Sequence, residues 1–402
     1  MDKFMTQVPL VFFEEGAVEK AGVLCKMMGV SKAMLVFDQG IRDAGIAERV
    51  IAVLEAVNID VIEFTKVVPD PLYHDINDGG LLARKEKINA VIGLGGGSSM
   101  DTAKGIFTLL GNPDSDDIMD FCMGGRGKCK PIRRANALLM TIPTTAGTGS
   151  DVSTGAVITD DVIDYKALLG GLQILPHISL LDPTLDLGMP PALTAATAMD
   201  ALAHGMESYV IGGLANKVKP TMNFNEWTDM LALEDVRLIF EWLPKIIRDP
   251  SDLEARAHVK YASMVAGIGM CAGGLTLGHG MAQAMGALWH IPHGVGCAMG
   301  LVPSVRQGAK LQRNTRERYL RLAQAAGLEL PKDAKKDVIT DAICKAVEDL
   351  SDLAGIPTPR ALGKTKEKDL EPLVEAGMRD PSCFVSVTED ELRGYFTYLF
   401  DR

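Results

Sequence analysis

Asn89-Ala-Val-Ile-Gly-Leu-Gly-Gly-Gly-Ser-Ser-Met-Asp101 is an apolar run that breaks into three glycines and two serines. The segment from Asn89 to Leu94 reads as a buried strand. It runs straight into Gly95, Gly96 and Gly97, and a helix starts at Ser98 or Ser99. Glycines let the backbone approach a ligand closely. The free N–H groups and positive end of the helix favour an anion there. The spacing is not the six-residue Gly-x-Gly-x-x-Gly fingerprint, because two serines follow Gly97. On these residues alone, phosphate binding and a plain tight strand–helix turn stand equal.

The surroundings repeat the strand–helix alternation. Strands are expected at 8–13, 32–38, 59–65, 137–142, 155–159 and 178–182, with helices at 17–28, 43–57 and 74–87. This predicts an α/β domain with a largely parallel sheet. Asp38 closes the strand after the first helix. An acid there can accept ribose hydroxyls and repel a 2′-phosphate, which favours NAD over NADP; it can equally cap a helix. Pro143-Thr144-Thr145-Ala146-Gly147-Thr148-Gly149-Ser150 carries more hydroxyls than a turn needs and suits a polar ligand. Residues 124–134, Gly-Gly-Arg-Gly-Lys-Cys-Lys-Pro-Ile-Arg-Arg, read as a mobile surface loop.

The texture changes between Asp182-Pro183 and Pro190-Pro191. Beyond it, 192–211, 228–241, 251–271, 275–288, 294–309, 314–326, 335–354, 366–376 and 388–400 all read as helices, with Thr194 as a cap in the first. The chain is therefore expected to divide into an α/β domain, 1–186, and an all-helical domain, 187–402, with a cleft between them. Within 211–228, Phe224 and Trp227 read as packed aromatics of a helix connection.

At 402 residues the chain is long for one core, so two domains are expected. The 41 glycines imply tight loops. A net charge of −11 argues against a nucleic-acid or anionic-membrane partner, since no basic face is available to release counterions. No signal peptide or membrane-length apolar run is evident, and the seven cysteines are scattered without a Cys-x-x-Cys pair. Free thiols in a reducing cytoplasm are the expected state.

The helical half holds five of the seven histidines, all between Met199 and Gly294. Asp200 and His204 sit one turn apart on a helix face, followed by Glu207. His279, His290 and His293 arrive about 80 residues later by the numbering. Taken singly, each would be a satisfied core residue or a helix-surface hydrogen bond. Together Asp200, His204, His279 and His293 form an oxygen- and nitrogen-donor set without a thiolate, suited to Fe²⁺ or Zn²⁺ with a position open to a substrate oxygen. His290 stands three residues before His293, where it could act behind the ligands or as a proton relay. His74, His177 and His258 have no such company.

These motifs carry a resemblance. Gly95-Gly-Gly-Ser-Ser-Met-Asp101-Thr-Ala-Lys104, Ile142-Pro-Thr-Thr-Ala-Gly-Thr-Gly-Ser150, Asp200-Ala-Leu-Ala-His204-Gly-Met-Glu207, His279-Gly-Met-Ala and Pro292-His293-Gly294 occur in order. With them the chain resembles the iron-containing (group III) alcohol dehydrogenases over nearly its whole length. The resemblance implies an N-terminal dinucleotide-binding domain and a helical metal-binding domain, an architecture shared with dehydroquinate synthase. It implies that Asp200, His204, His279 and His293 hold the metal. It also implies that Gly96, Gly97 and Ser98, within the motif ending at Asp101, contact the cofactor diphosphate. Thr144, Thr145, Thr148 and, by position, Ser153 would line the cofactor, with Lys166 near its ribose. The implied activity is hydride transfer between a small alcohol or aldehyde and NAD(H), in a homodimer or larger homo-oligomer.

Three positions depart from the family pattern. Gln283 stands where many members carry a histidine near the nicotinamide, so a proton relay must use His290, water or the cofactor ribose, or turnover is weakened. Asp151 replaces a commoner glutamate, and Cys383-Phe-Val-Ser-Val replaces an Asn-Pro-Arg. A polyol-phosphate dehydrogenase or a lyase of the same architecture is the alternative. It would need a basic cluster, and Lys260 is the one Lys or Arg in 258–294.

Overall fold

A computed structural model describes residues 7–212, 225–311, 315–379 and 387–402. Phe224 and Cys383 lie outside them. The described chain divides into two compact units, meeting in sequence at Gly188 and Met189.

The first unit is a six-stranded, all-parallel sheet with helices between its strands. In chain order it runs β1 (Leu10–Phe13), α1 (Ala21–Met27), β2 (Lys32–Val36), α2 (Gln39–Asp43), α3 (Ile46–Glu55), β3 (Asp60–Phe64), α4 (Tyr73–Lys85), β4 (Ala90–Gly95), α5 (Gly97–Gly111) and β5 (Leu138–Pro143). Next come β6 (Gly155–Asp160), β7 (Tyr165–Gly170) and β8 (Ile178–Leu181). The sheet order is β1-β8-β5-β4-β2-β3, and β6 and β7 form a separate antiparallel hairpin. Side chains alternate across the pleat, so the central strands β2, β4 and β5 feed two cores. Met34, Val36, Val91 and Leu139 enter one; Ala33, Leu35, Ala90, Ile92, Leu94, Met140 and Ile142 enter the other. Burial on both faces explains why β4 and, apart from Thr141, β5 are apolar rather than alternating.

Two expectations change here. β7 was not anticipated from its residues, because only one face of the hairpin is buried. The basic stretch 124–134 does run as a loop, but it is anchored. Arg126 meets Asp160 through two bonds of 2.6 and 2.7 Å, and Lys128 and Lys130 reach Asp120 at 2.7 and 2.6 Å.

The second unit is helical: α6 (Pro191–Gly212), α7 (Glu226–Arg248), α8 (Leu253–Gly273), α9 (Leu277–Trp289), α10 (His293–Leu311), α11 (Arg316–Ala325), α12 (Lys336–Leu353), α13 (Lys366–Arg379) and α14 (Glu389–Asp401). α6 is buried continuously from Thr194 to Ile211. Apart from Asp200, His204 and Glu207 its buried residues are mostly small or apolar on every side, the pattern of a helix at the centre of a bundle, and α7, α8, α9 and α10 pack around it. Thr194 is inside α6 rather than its cap, and accepts a bond of 3.0 Å from Arg256. Trp227 lies in the first turn of α7, where its N–H donates to the Asn225 cap at 2.8 Å. Among the described residues no single helix is long and apolar enough to cross a membrane.

A buried polar network fixes the loop after β5 onto α5. Lys104 is fully buried. Its Nζ reaches Ser150 Oγ and Ser153 O at 3.0 Å, Ser153 Oγ at 3.1 Å and Gly155 O at 2.7 Å. Asp101, nearly one turn earlier on α5, accepts from Ser150 Oγ at 2.6 Å and from the Val157 N–H at 2.8 Å. Burial pushes the Asp101 carboxyl above its ordinary range, against the pull of Lys104 and these two bonds. Lys104→Met should therefore cost about 2–3 kcal/mol and lower hydrogen-exchange protection across 138–160. Unchanged protection would show that the ammonium does not organise this loop.

Candidate functional site

Three helices of the second unit converge on one carboxylate oxygen. Asp200, His204 and Glu207 follow one another at helical spacing along α6. His279 lies in the first turn of α9, and His293 opens α10. Asp200 Oδ1 lies 3.8 Å from Nε2 of His204, of His279 and of His293. That is beyond hydrogen-bond reach, and among the described residues Asp200 Oδ1 is buried without a hydrogen-bond partner. The His204 and His279 rings are stacked with centroids 4.8 Å apart. His279 and His293 are tilted at 5.4 Å. The four side chains expected as ligands are thus brought together. His293 is about one-third exposed (34%) against 4% for Asp200, so the cluster opens on the His293 side.

Glycine makes this convergence possible. A Cβ on Gly294 would lie 2.1 Å from the Ala196 carbonyl oxygen of α6. Only a residue without a side chain lets the start of α10 come so close to the turn preceding Asp200.

Behind His279 stands a second carboxylate. Glu207 Oε2 is 3.1 Å from His279 Nδ1 and accepts the Thr276 N–H at 2.6 Å. Oε1 accepts from Ser304 Oγ at 3.0 Å. Burial pushes the Glu207 carboxyl up, but the His279 ring and these donors outweigh it and hold it below its ordinary range. An ionised carboxylate only accepts, so His279 Nδ1 is the donor. The lone pair of the neutral ring is then on Nε2, the atom facing Asp200.

His290, expected as a relay, is the exposed C-cap of α9, with φ 54°. Gln283, one turn after His279, is half-buried, and its Oε1 accepts no hydrogen bond among the described residues. The donor set also includes a thiol that sequence reasoning missed. Cys297 is buried, one turn after His293, with Sγ 3.4 Å from His293 Nε2. Donor atoms of Asp200, His279, His293 and Cys297 all lie within 4.8 Å of one another.

In the first unit, the two loops singled out in the sequence meet. α5 begins at Gly97, with Gly96 as N-cap and no side chain capping its first N–H groups. The Thr144 N–H donates to Gly95 O at 3.0 Å. A Cβ on Gly97 would lie 3.0 Å from Thr148 Cγ2, and one on Gly96 would lie 3.4 Å from Thr145 Cγ2. Gly96, Gly97, Ser98, Thr144, Thr145 and Thr148 therefore gather around one helix N-terminus. Thr145 Oγ1 is buried there without a hydrogen-bond partner.

Other expected cofactor residues are engaged within the protein. Asp38 caps α2, its Oδ1 accepting the Ile41 N–H at 3.1 Å. Asp101 and Ser153 belong to the Lys104 network. Lys166, on β7, pairs with Asp70 at 2.6 Å.

Both sites suit the groups expected of them. A buried carboxylate oxygen facing three imidazole nitrogens is costly without a cation to share. An uncapped helix N-terminus flanked by glycines and threonines suits a diphosphate.

Comparison with known proteins agrees. Residues 9–183 match the iron-containing alcohol dehydrogenase family, and residues 194–391 match the C-terminal part of the Fe-containing alcohol dehydrogenase family. The chain is 35% identical to choline dehydrogenase of Bacillus subtilis (strain 168), over 96% of this chain and 91% of that protein. It is 32% identical to the NAD-dependent methanol dehydrogenase of Bacillus methanolicus, over 92% of each. The solved structure of an alcohol dehydrogenase from Oenococcus oeni superimposes with a TM-score of 0.86 at 28% identity, covering 99% of this chain and all (100%) of that one. With the parallel-sheet unit, the helical unit and the Asp200 cluster in hand, these matches place the chain in the iron-containing alcohol dehydrogenase family.

Proposed function

We propose that the protein is a divalent-metal-dependent, NAD(H)-linked dehydrogenase of a small alcohol, or in the reverse sense a reductase of the aldehyde. The observation that carries this reading is Asp200 Oδ1, a buried oxygen without a hydrogen bond, facing the Nε2 atoms of three histidines. Bound there, an Fe²⁺ or Zn²⁺ ion supplies Lewis acidity toward an alcohol or carbonyl oxygen, and NAD supplies the hydride acceptor.

The residues divide the work. Asp200, His204, His279 and His293 hold the ion. Glu207 fixes the His279 ring in the tautomer that presents Nε2, while Thr276 and Ser304 hold Glu207 in place. The open side near His293 admits the substrate. Gly96, Gly97 and the α5 N-terminus bind the diphosphate through backbone N–H groups, and Thr144, Thr145 and Thr148 add hydroxyl contacts. Asp38 keeps one carboxylate oxygen for its helix cap, and its charge still disfavours a 2′-phosphate, so NAD is preferred to NADP. Gln283 cannot titrate, so a proton leaving the substrate must travel by His290, water or the cofactor ribose. Lys260 is buried in α8, which speaks against a phosphorylated substrate. The assembly in this reading is a homodimer or larger.

The reading is tested by following NADH oxidation with a panel of short aldehydes, in protein prepared without oxygen and loaded with Fe²⁺ or Zn²⁺. Turnover is expected with metal and not after chelation; bound NAD without turnover on any aldehyde would refute it. His279→Ala should lose both the metal and the activity, and survival of both would mean that the ligands are misassigned. Glu207→Gln should weaken metal binding by about 10–100-fold, measured by competition with a chelator. An unchanged affinity would remove Glu207 from the site.

A further inference from the structure

We propose that Cys297 gives the metal centre a sulfur donor beside the carboxylate and imidazoles, raising its preference for Zn²⁺ over Fe²⁺. This rests on the metal-centre reading above.

Two independent observations support it. The first is position. α10 starts at His293, so Cys297 comes one turn later on the same face, with Sγ 3.4 Å from His293 Nε2. Sγ belongs to a group in which the donor atoms of Asp200, His279, His293 and Cys297 all lie within 4.8 Å of one another. Metal–nitrogen and metal–oxygen bonds are about 2.0–2.2 Å and zinc–sulfur bonds about 2.3 Å. Donors so spaced need only a small contraction to share one ion. The second is Asp200 itself, with 4% of its side chain exposed and Oδ1 lacking a hydrogen bond in the middle of that group. It marks where positive charge is wanted, and Cys297 borders the same spot.

The chemistry follows from the donor type. A thiol binds as thiolate, giving its proton to solvent as the ion enters. Thiolate is a soft ligand that suits Zn²⁺ better than a set of oxygen and nitrogen alone. A second negative charge beside Asp200 also offsets more of the cation's charge, which weakens its pull on a substrate oxygen. Cys297 therefore bears on which ion the protein retains and how acidic that ion is.

Cobalt(II) provides the probe. The full chain, stripped of metal and loaded with one Co²⁺, should show near-ultraviolet sulfur-to-cobalt charge transfer in addition to the visible ligand-field bands. Cys297→Ser and Cys297→Ala should lose the charge-transfer absorption but keep visible bands. In both, Zn²⁺ affinity should fall by at least about tenfold relative to Fe²⁺. Cobalt bound in the unaltered protein with visible bands but no charge transfer would overturn sulfur ligation and leave the metal centre standing. Charge transfer that persists in both variants would assign the sulfur to another cysteine and equally overturn it. If the unaltered protein binds no cobalt, or His279→Ala binds it with an identical spectrum, the metal-centre reading falls too. The wild-type spectrum decides the matter even if a variant does not fold.

Discussion

A carboxylate oxygen held out of water without a hydrogen bond is a strained arrangement, and the helical unit is built around one. Asp200 sits in the middle of α6, a helix with no solvent face. Isolating a charge there costs several kcal/mol unless other charges answer it. The neighbouring helices are placed so that the answer is shared. α9 contributes His279, braced by Glu207 from α6 itself. α10 contributes His293, and Gly294 lets its first turn touch α6. Remove the demand for a cation at this point and little explains why three imidazoles, a thiol and two carboxylates should gather in an apolar bundle.

The secondary structure was legible because burial here is simple. β4 and β5 are buried on both faces and read as nearly unbroken apolar runs. Several outer helices of the second unit carry a 3.6-residue period, and helix starts are marked by Asn225, Asp252 and Thr388. β7 escaped notice because a half-exposed hairpin strand needs only a weak pattern. The four side chains that meet at Asp200 Oδ1 were legible as a constellation, though none is distinctive alone. Cys297 was not. With the helix taken to begin at residue 294, His293 appeared to precede it, and the one-turn relation to Cys297 was lost. A boundary displaced by a single residue concealed a thiol beside the histidine cluster.

The expected cofactor residues show a different limit. Sequence pattern identifies polar residues near a ligand loop but cannot tell which face the ligand and which hold the loop. Asp101 and Ser153 share the second task with Lys104, and Asp38 does a capping job that any aspartate before a helix can do. Lys166 is tied to Asp70, a residue distant in sequence. Such choices depend on which partners the fold brings within reach, and spacing along the chain does not contain that information.

The parallel sheet also orders events in time. β1 is an edge strand that pairs only with β8, in the register Leu10 to Ile178. Its partner is thus nearly the last strand of the unit to leave the ribosome. Until then β1 has nothing to pair with, whereas β2, β3 and β4 form their ladders from nearby segments. Closing so long a loop is entropically slow. The apolar N-terminal strand is therefore the segment that stays exposed longest during synthesis, and the one a chaperone would have most reason to shield.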